Sequence, residues 1–138
     1  MLRTNGQLTT VIDDLVTLLK AQSFAGVGSQ IADTVAPQEW SLPFVVCENF
    51  DGDPNNTLDG AGGVEFAGVT ISVKAATRAS AKSIGAAIKA FIRNYTGAMG
   101  TVTCKAVLLQ DDFSGYEKPT TNGPGRYTRT IEIEVHYQ

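Results

Sequence analysis

The sequence predicts an α+β fold: a single domain over residues 1–138, in the order α-β-β-α-β-β, with a mainly antiparallel sheet and two helices packed on one face. Two observations predict it. Apolar residues recur at helical spacing in two stretches, and they alternate with polar residues in others. The strands also fall in sequence as adjacent pairs, which hairpins join most directly, and each pair follows a helix. That arrangement leaves two helices to cover one side of one sheet.

The first helix is predicted from about Thr10 to Ala21, where Leu8, Val11, Ile12, Leu15, Leu18 and Leu19 share one face. Thr10 followed by Asp13 has the form of a capping box, and Asp13 and Asp14 suit the positive end of a helix dipole. Lys20 suits the other end, and FAGVGSQ then breaks the pattern. The Pro-punctuated VAPQEWSLP leads into a strand from Phe44 to Phe50. In VEFAGVTISVKAA, Val69, Ile71, Val73 and Ala75 oppose Thr70, Ser72 and Lys74, as in a half-buried strand. Gly68 suggests a bulge there, because Phe66 falls on the opposite parity from Val69.

Thr77 is expected to cap a second helix reaching about Tyr95. Its apolar stripe is Ile84, Ala87, Ile88, Phe91, Ile92 and Tyr95, opposite Lys82, Lys89 and Arg93, and Gly97 ends it. Gly85 and the alanines after it allow a close approach to a sheet. TVTCKAVLLQ reads as the third strand and RYTRTIEIEVHYQ as the fourth, with Tyr127, Arg129, Ile131, Ile133, Val135 and Tyr137 on one face. Ile84, Ile88 and Phe91 should meet Val69, Ile71, Val73, Ile131 and Ile133 in the core.

Composition narrows the function. A domain of 138 residues buries about 68–70% of its unfolded surface, enough for a core without staples. The net charge is −3 and no lysine and arginine cluster is present, which argues against specific nucleic-acid binding. MLRTNGQLTT lacks an apolar signal core and no apolar run is long enough to span a bilayer, so a soluble cytosolic protein without a membrane partner is expected. Cys47 and Cys104 lie far apart, without CxxC spacing, and read as reduced core residues.

Two segments stand out as loops. In FDGDPNNTLDGAGG, oxygen side chains alternate at Asp51, Asp53, Asn55, Thr57 and Asp59, as in a calcium loop. The required glycine and glutamate are replaced by Asn56 and Gly62, and the preceding segment is a strand, so a connecting turn and no metal is the expectation. The second is DDFSGYEKPTTNGPG, Asp111 to Gly125; loops longer than about 12–15 residues are uncommon in compact domains and are usually functional or mobile. Asp111, Asp112, Phe113, Tyr116 and Lys118 place aromatic and charged groups on it, and with Asp51, Asp53, Asn55 and Asp59 they are the candidate interface residues.

No catalytic set is expected. His136 shares a polar strand face with Thr128, Thr130, Glu132 and Glu134, away from any nucleophile. The carboxylate pairs Asp13 with Asp14, Asp111 with Asp112 and Glu132 with Glu134 do not converge on one proton. Gly26 and Gly28 follow a helix rather than a strand, which removes the phosphate-cradling reading. The protein is therefore expected not to be an enzyme and to carry no cofactor.

Taken in order, VAPQEWSLPFVVCE, TLDG, GVTISVKAATRASAKSIGAAIKAFI, VLLQDDFSGYEK and RYTRTIEIEVHY resemble the tail-completion, or tail-terminator, proteins of long-tailed bacteriophages over nearly the whole chain. The resemblance implies a structural protein that forms a hexameric ring on the head-proximal end of the tail tube. Such a ring ends tube polymerisation and provides the head-tail joining surface, with the tube protein and a neck or head-completion protein as partners. DNA would pass through its lumen without being held, and the protein would move from host cytoplasm into the tail and neck of the virion. Asp111 to Gly125 is longer than the family pattern implies. The alternatives are another neck or head-completion protein and a calcium-dependent binding module built on Asp51 to Asp59. A ring needs two different complementary patches on each subunit and no site chemistry.

Overall fold

The computed structural model describes residues 5–37, 39–49, 65–100, 102–118 and 125–138. Its elements are α1 (Asn5–Ala21), β1 (Ile31–Asp33), β2 (Phe44–Asn49), β3 (Glu65–Ala75), α2 (Arg78–Ile92), β4 (Gly97–Met99), β5 (Val102–Glu117) and β6 (Arg126–Tyr137). One six-stranded sheet forms, in the order β1-β2-β3-β6-β5-β4. Only β1 with β2 is parallel; β2 with β3 and β5 with β6 are antiparallel, and β3 joins β6 antiparallel at the centre.

The expected α+β fold and its order of two helices and four long strands are present, with two three-residue strands added at the edges. β1 and β4 are too short to carry a period of their own. Their neighbours define them: Ile31–Asp33 lies beside Val45–Cys47, and Gly97–Met99 beside Val102–Cys104.

Both helices pack on one face. From α2 come Ala81, Ile84, Gly85, Ile88 and Ile92, and from α1 Val11, Leu15 and Leu19. They meet Val69, Ile71, Val73, Ile131, Ile133 and Val135, all fully buried, which is the strand parity expected from the sequence. Thr77 caps α2 as predicted, its hydroxyl accepting from the Ser80 amide at 3.1 Å. Cys47 and Cys104 are free and buried, and burial pushes the Cys47 thiol up to about 12.

Four expectations are corrected. Helix α1 starts at Asn5, so Thr10 lies inside it and cannot cap it; Asp13 and Asp14 sit mid-helix, because the apolar spacing already begins at Leu8. Gly68 is not a bulge, since the β3–β6 register runs unbroken from Glu65↔Tyr137 to Ala75↔Tyr127. Phe66 has the other parity because it faces the open side of the sheet, where it stacks on His136 at 5.3 Å. Ala87 is exposed and Phe91 only half-buried, at the rim of the core against Phe24 and Tyr95.

The fourth correction bears on function. Asp111–Glu117 is strand, not loop: β5 runs sixteen residues, with Asp112↔Ile131, Phe113↔Thr130 and Tyr116↔Tyr127. The turn-forming composition of DDFSG is overridden by cross-strand pairing with β6, because local preference in strands yields to the partner surface. Register shifts between Cys104 and Ala106 and between Leu109 and Asp111 place the irregularities on β5 instead.

Candidate functional site

Strand β5 is held by β6 along one side. On its other side β4 covers only Val102–Cys104, and no strand among the described residues pairs with the outer edge from Lys105 to Glu117. At about 3.3 Å per residue that edge is roughly 40 Å long. It is also apolar. Leu108 is 46% exposed, Phe113 45% and Tyr116 52%, with Leu109 half-exposed between them. Pairing of Leu108 with Glu134 and Phe113 with Thr130 puts those two on the open face of the sheet, whereas Tyr116 pairs with Tyr127 and their rings lie 4.9 Å apart on the helix side.

Two ion-pair networks brace this strand. Lys89 Nζ donates to Asp112 Oδ2 at 2.6 Å, and Arg129 Nε donates to Asp112 Oδ1 at 2.7 Å. The Arg129 guanidinium, with Lys89 adding to it, holds the Asp112 carboxyl below its ordinary value against the opposing cost of burial. Arg129 also donates to Ser114 Oγ at 2.8 Å. At the far end, Glu117 accepts from Lys74 Nζ at 2.9 Å and Arg126 Nε at 2.8 Å, and Lys74 is the first cause of its lowered pKa. These contacts tie β5 to α2, β3 and β6.

The opposite edge of the sheet carries a hollow. Residues Phe44 to Cys47 of β2 are buried on both parities, because the Trp40 ring meets Phe44 edge-on at 6.3 Å on the open side. Trp40, Phe44 and Val46 line a groove of about 410 Å³, bordered by Val35, Lys74 and Arg126. That volume lies within the roughly 300–1,000 Å³ of sites that take a small apolar group or ligand. Arg126 reaches over the Phe44 ring at 5.7 Å, and Val35 stands 73% exposed on the rim.

The sequence-predicted residues divide three ways. Asp51, Asp53, Asn55 and Asp59 lie outside the described residues. Asp111, Phe113 and Tyr116 are exposed together on β5, and Lys118 is exposed just beyond it. Asp112 is turned inward to its two cations and is an anchor rather than a contact. The groove was not foreseen, although FVVC, four apolar residues in succession, signals a strand covered on both faces, and a tryptophan lies just upstream.

The open face has little reactive chemistry. His136 Nε2 lies 2.8 Å from Glu134 Oε1, within the polar row expected. Among the described residues no cluster of three or more histidine, cysteine, aspartate or glutamate side chains could hold a metal ion. No helix among them is long and apolar enough to cross a membrane.

Comparison of the chain with protein-family models gives no match, and neither does comparison with curated proteins. Among solved structures, a chain from the virion of a native gene transfer agent particle is similar, with a TM-score of 0.64 over 91% of this chain and 94% of that one. The two are 14% identical. What they share is the fold, over almost their full lengths.

Proposed function

We propose that the protein is a structural component of a phage-like virion, and within it a tail-completion protein that assembles as a ring at the head-proximal end of the tail tube. In this reading the ring stops tube growth and presents the surface that joins tail to head. The observation that carries it is β5: a long, braced strand whose outer edge and apolar side chains face solvent in the isolated chain. Such edges are protected in monomers and used in assemblies, where main-chain pairing and side-chain burial act together. The fold shared with a chain of a gene transfer agent virion supports the same context, as does the order of sequence segments that resembles tail terminators.

No reaction is assigned. The partners are further copies of the chain, the tube protein and a neck or head-completion protein, and DNA passes through the lumen unbound. A strain lacking the gene is the test. Over-long tails, or normal-length tails that fail to join filled heads, are expected by electron microscopy, with joining restored by the purified protein in an assembly extract. Tails of normal length and joining in that strain would overturn the terminator reading. Absence of the protein from tails but presence in filled heads would assign it to head completion instead.

A further inference from the structure

Strand β5 lies toward one edge of the sheet, whereas the Trp40 groove opens over β2 toward the other and reaches in to Lys74 of β3 and Arg126 of β6; both present apolar groups on the open face. On β5 the outward apolar groups are Leu108 and Phe113, and two residues before Phe113 lies Asp111, also exposed on that face, opposite Glu132. Across the sheet, the Phe44 end of the groove is cationic. Lys74 and Arg126 there share a single carboxylate, Glu117, while Glu48 lies at the other end of β2, opposite Thr70.

We propose that Phe113 of one copy seats in the groove formed by Trp40, Phe44 and Val46 of the next, with Asp111 directed toward Arg126. The partner is a second copy of this chain. Three features favour it over an unrelated protein. An apolar projection and an apolar hollow occur on the same chain, the acid beside the projection matches the cations at the hollow, and the two lie toward opposite edges. A contact between two different patches is head-to-tail, so it repeats and closes into a ring when the rotation per subunit divides a full turn. Aromatic side chains in desolvated pockets dominate interface energies, which assigns the specificity to Phe113 and Trp40. This deepens the ring reading above and rests on it.

Because Cys47 and Cys104 are buried, introduced cysteines can be crosslinked with little background. The full chain carrying both Gln110→Cys, exposed on β5 beside Asp111, and Val35→Cys, with Phe113 retained, is treated with a short thiol crosslinker. A ladder of covalent oligomers is expected on a denaturing gel, from purified protein or from an assembly extract. Neither single variant should produce more than a trace. Strong dimer from Gln110→Cys alone would show a symmetric β5-to-β5 contact and overturn the proposal, as would absence of any ladder in both preparations. In a second arm, Asp111→Arg and Arg126→Asp are each expected to lower the oligomeric fraction by tenfold or more, and the pair together to recover most of it. Failure of recovery, with circular dichroism showing all three variants folded, would overturn the assigned orientation. Rings seen by electron microscopy without the ladder would sink this contact and leave the ring reading standing. Normal tails in the deletion strain, with the ladder present, would do the reverse.

Discussion

Asp112 is where charge and fold meet. Its two cations come from α2 and β6, and all three side chains are less than a third exposed. Substitution to alanine would leave Lys89 and Arg129 half-buried without this carboxylate, so a loss of about 1.5–3 kcal/mol is expected from urea denaturation, the range for hydrogen bonds to charged groups. The pH dependence follows from the lowered carboxyl. In the folded state Asp112 stays ionised to lower pH than in the unfolded chain, so its stabilisation is complete above the ordinary value of 3.8 and is lost as pH falls through the folded value below it. Asp112→Asn should flatten that acid limb of a stability-against-pH curve. Gly85 is coupled to the same pair, because a Cβ there would lie 2.6 Å from Arg129 Cγ. Gly85→Ala should therefore destabilise despite alanine's helix preference, and less so in the Asp112→Ala background. An additive double-mutant cycle would show that Arg129 does not transmit the effect.

At the scale of elements, the two helices hold the sheet through most of their predicted apolar stripes, with Ala87 left exposed and Phe91 displaced to the rim. Ile88 is fully buried beneath α2, so Ile88→Ala should cost about 2–5 kcal/mol. Phe91, at the core's rim, should cost less than the roughly 3–5 kcal/mol of a fully buried aromatic. Denaturation midpoints of the two variants compare them directly, and a larger loss at Phe91 would misplace the core. Thr77→Ala should cost about 1 kcal/mol through the lost cap. Strand β5 differs from these elements in that its distal half contributes mostly exposed side chains. Phe113→Ser is expected to change stability by about 1 kcal/mol or less while abolishing assembly, a separation measured by denaturation alongside sedimentation.

For the whole molecule, a sheet covered by helices on one face leaves an open face where polar residues alternate with apolar groups such as Leu108, Phe113 and the Trp40 groove, and two unlike edges. In the proposed ring, those two edges are the surfaces that meet between neighbouring copies. Purified protein is expected to show rings with an axial hole by electron microscopy, and Trp40→Ala should remove them while leaving the circular dichroism spectrum unchanged. The acidic segment from Asp51 to Asp59 lacks the glycine and glutamate of a calcium loop, so calcium should leave the thermal midpoint unchanged. A calcium-dependent rise in that midpoint, lost with Asp51→Ala, would establish a site there.

Periodicity by itself determined most of the architecture: the fold class, the four long strands, the buried parity of β3 and β6, α2 with its Thr77 cap, and the buried cysteines. These follow from spacing within one element, where a residue's partners are its neighbours in sequence. The extent of β5 could be decided only by tertiary pairing. DDFSGYE has turn composition, and it becomes strand because Arg126–Ile131 lies alongside to satisfy its backbone. The same holds for β1 and β4, which are shorter than any detectable period. Asp111, Phe113 and Tyr116 were legible as exposed interface candidates, but their common strand edge was not, nor was the inward turn of Asp112 toward Lys89 and Arg129. The groove joins Trp40 to residues of β2, β3 and β6, distant in the chain, and no local pattern brings such residues together. Strand order does, because hydrogen bonding between strands sets which side chains become neighbours across the sheet.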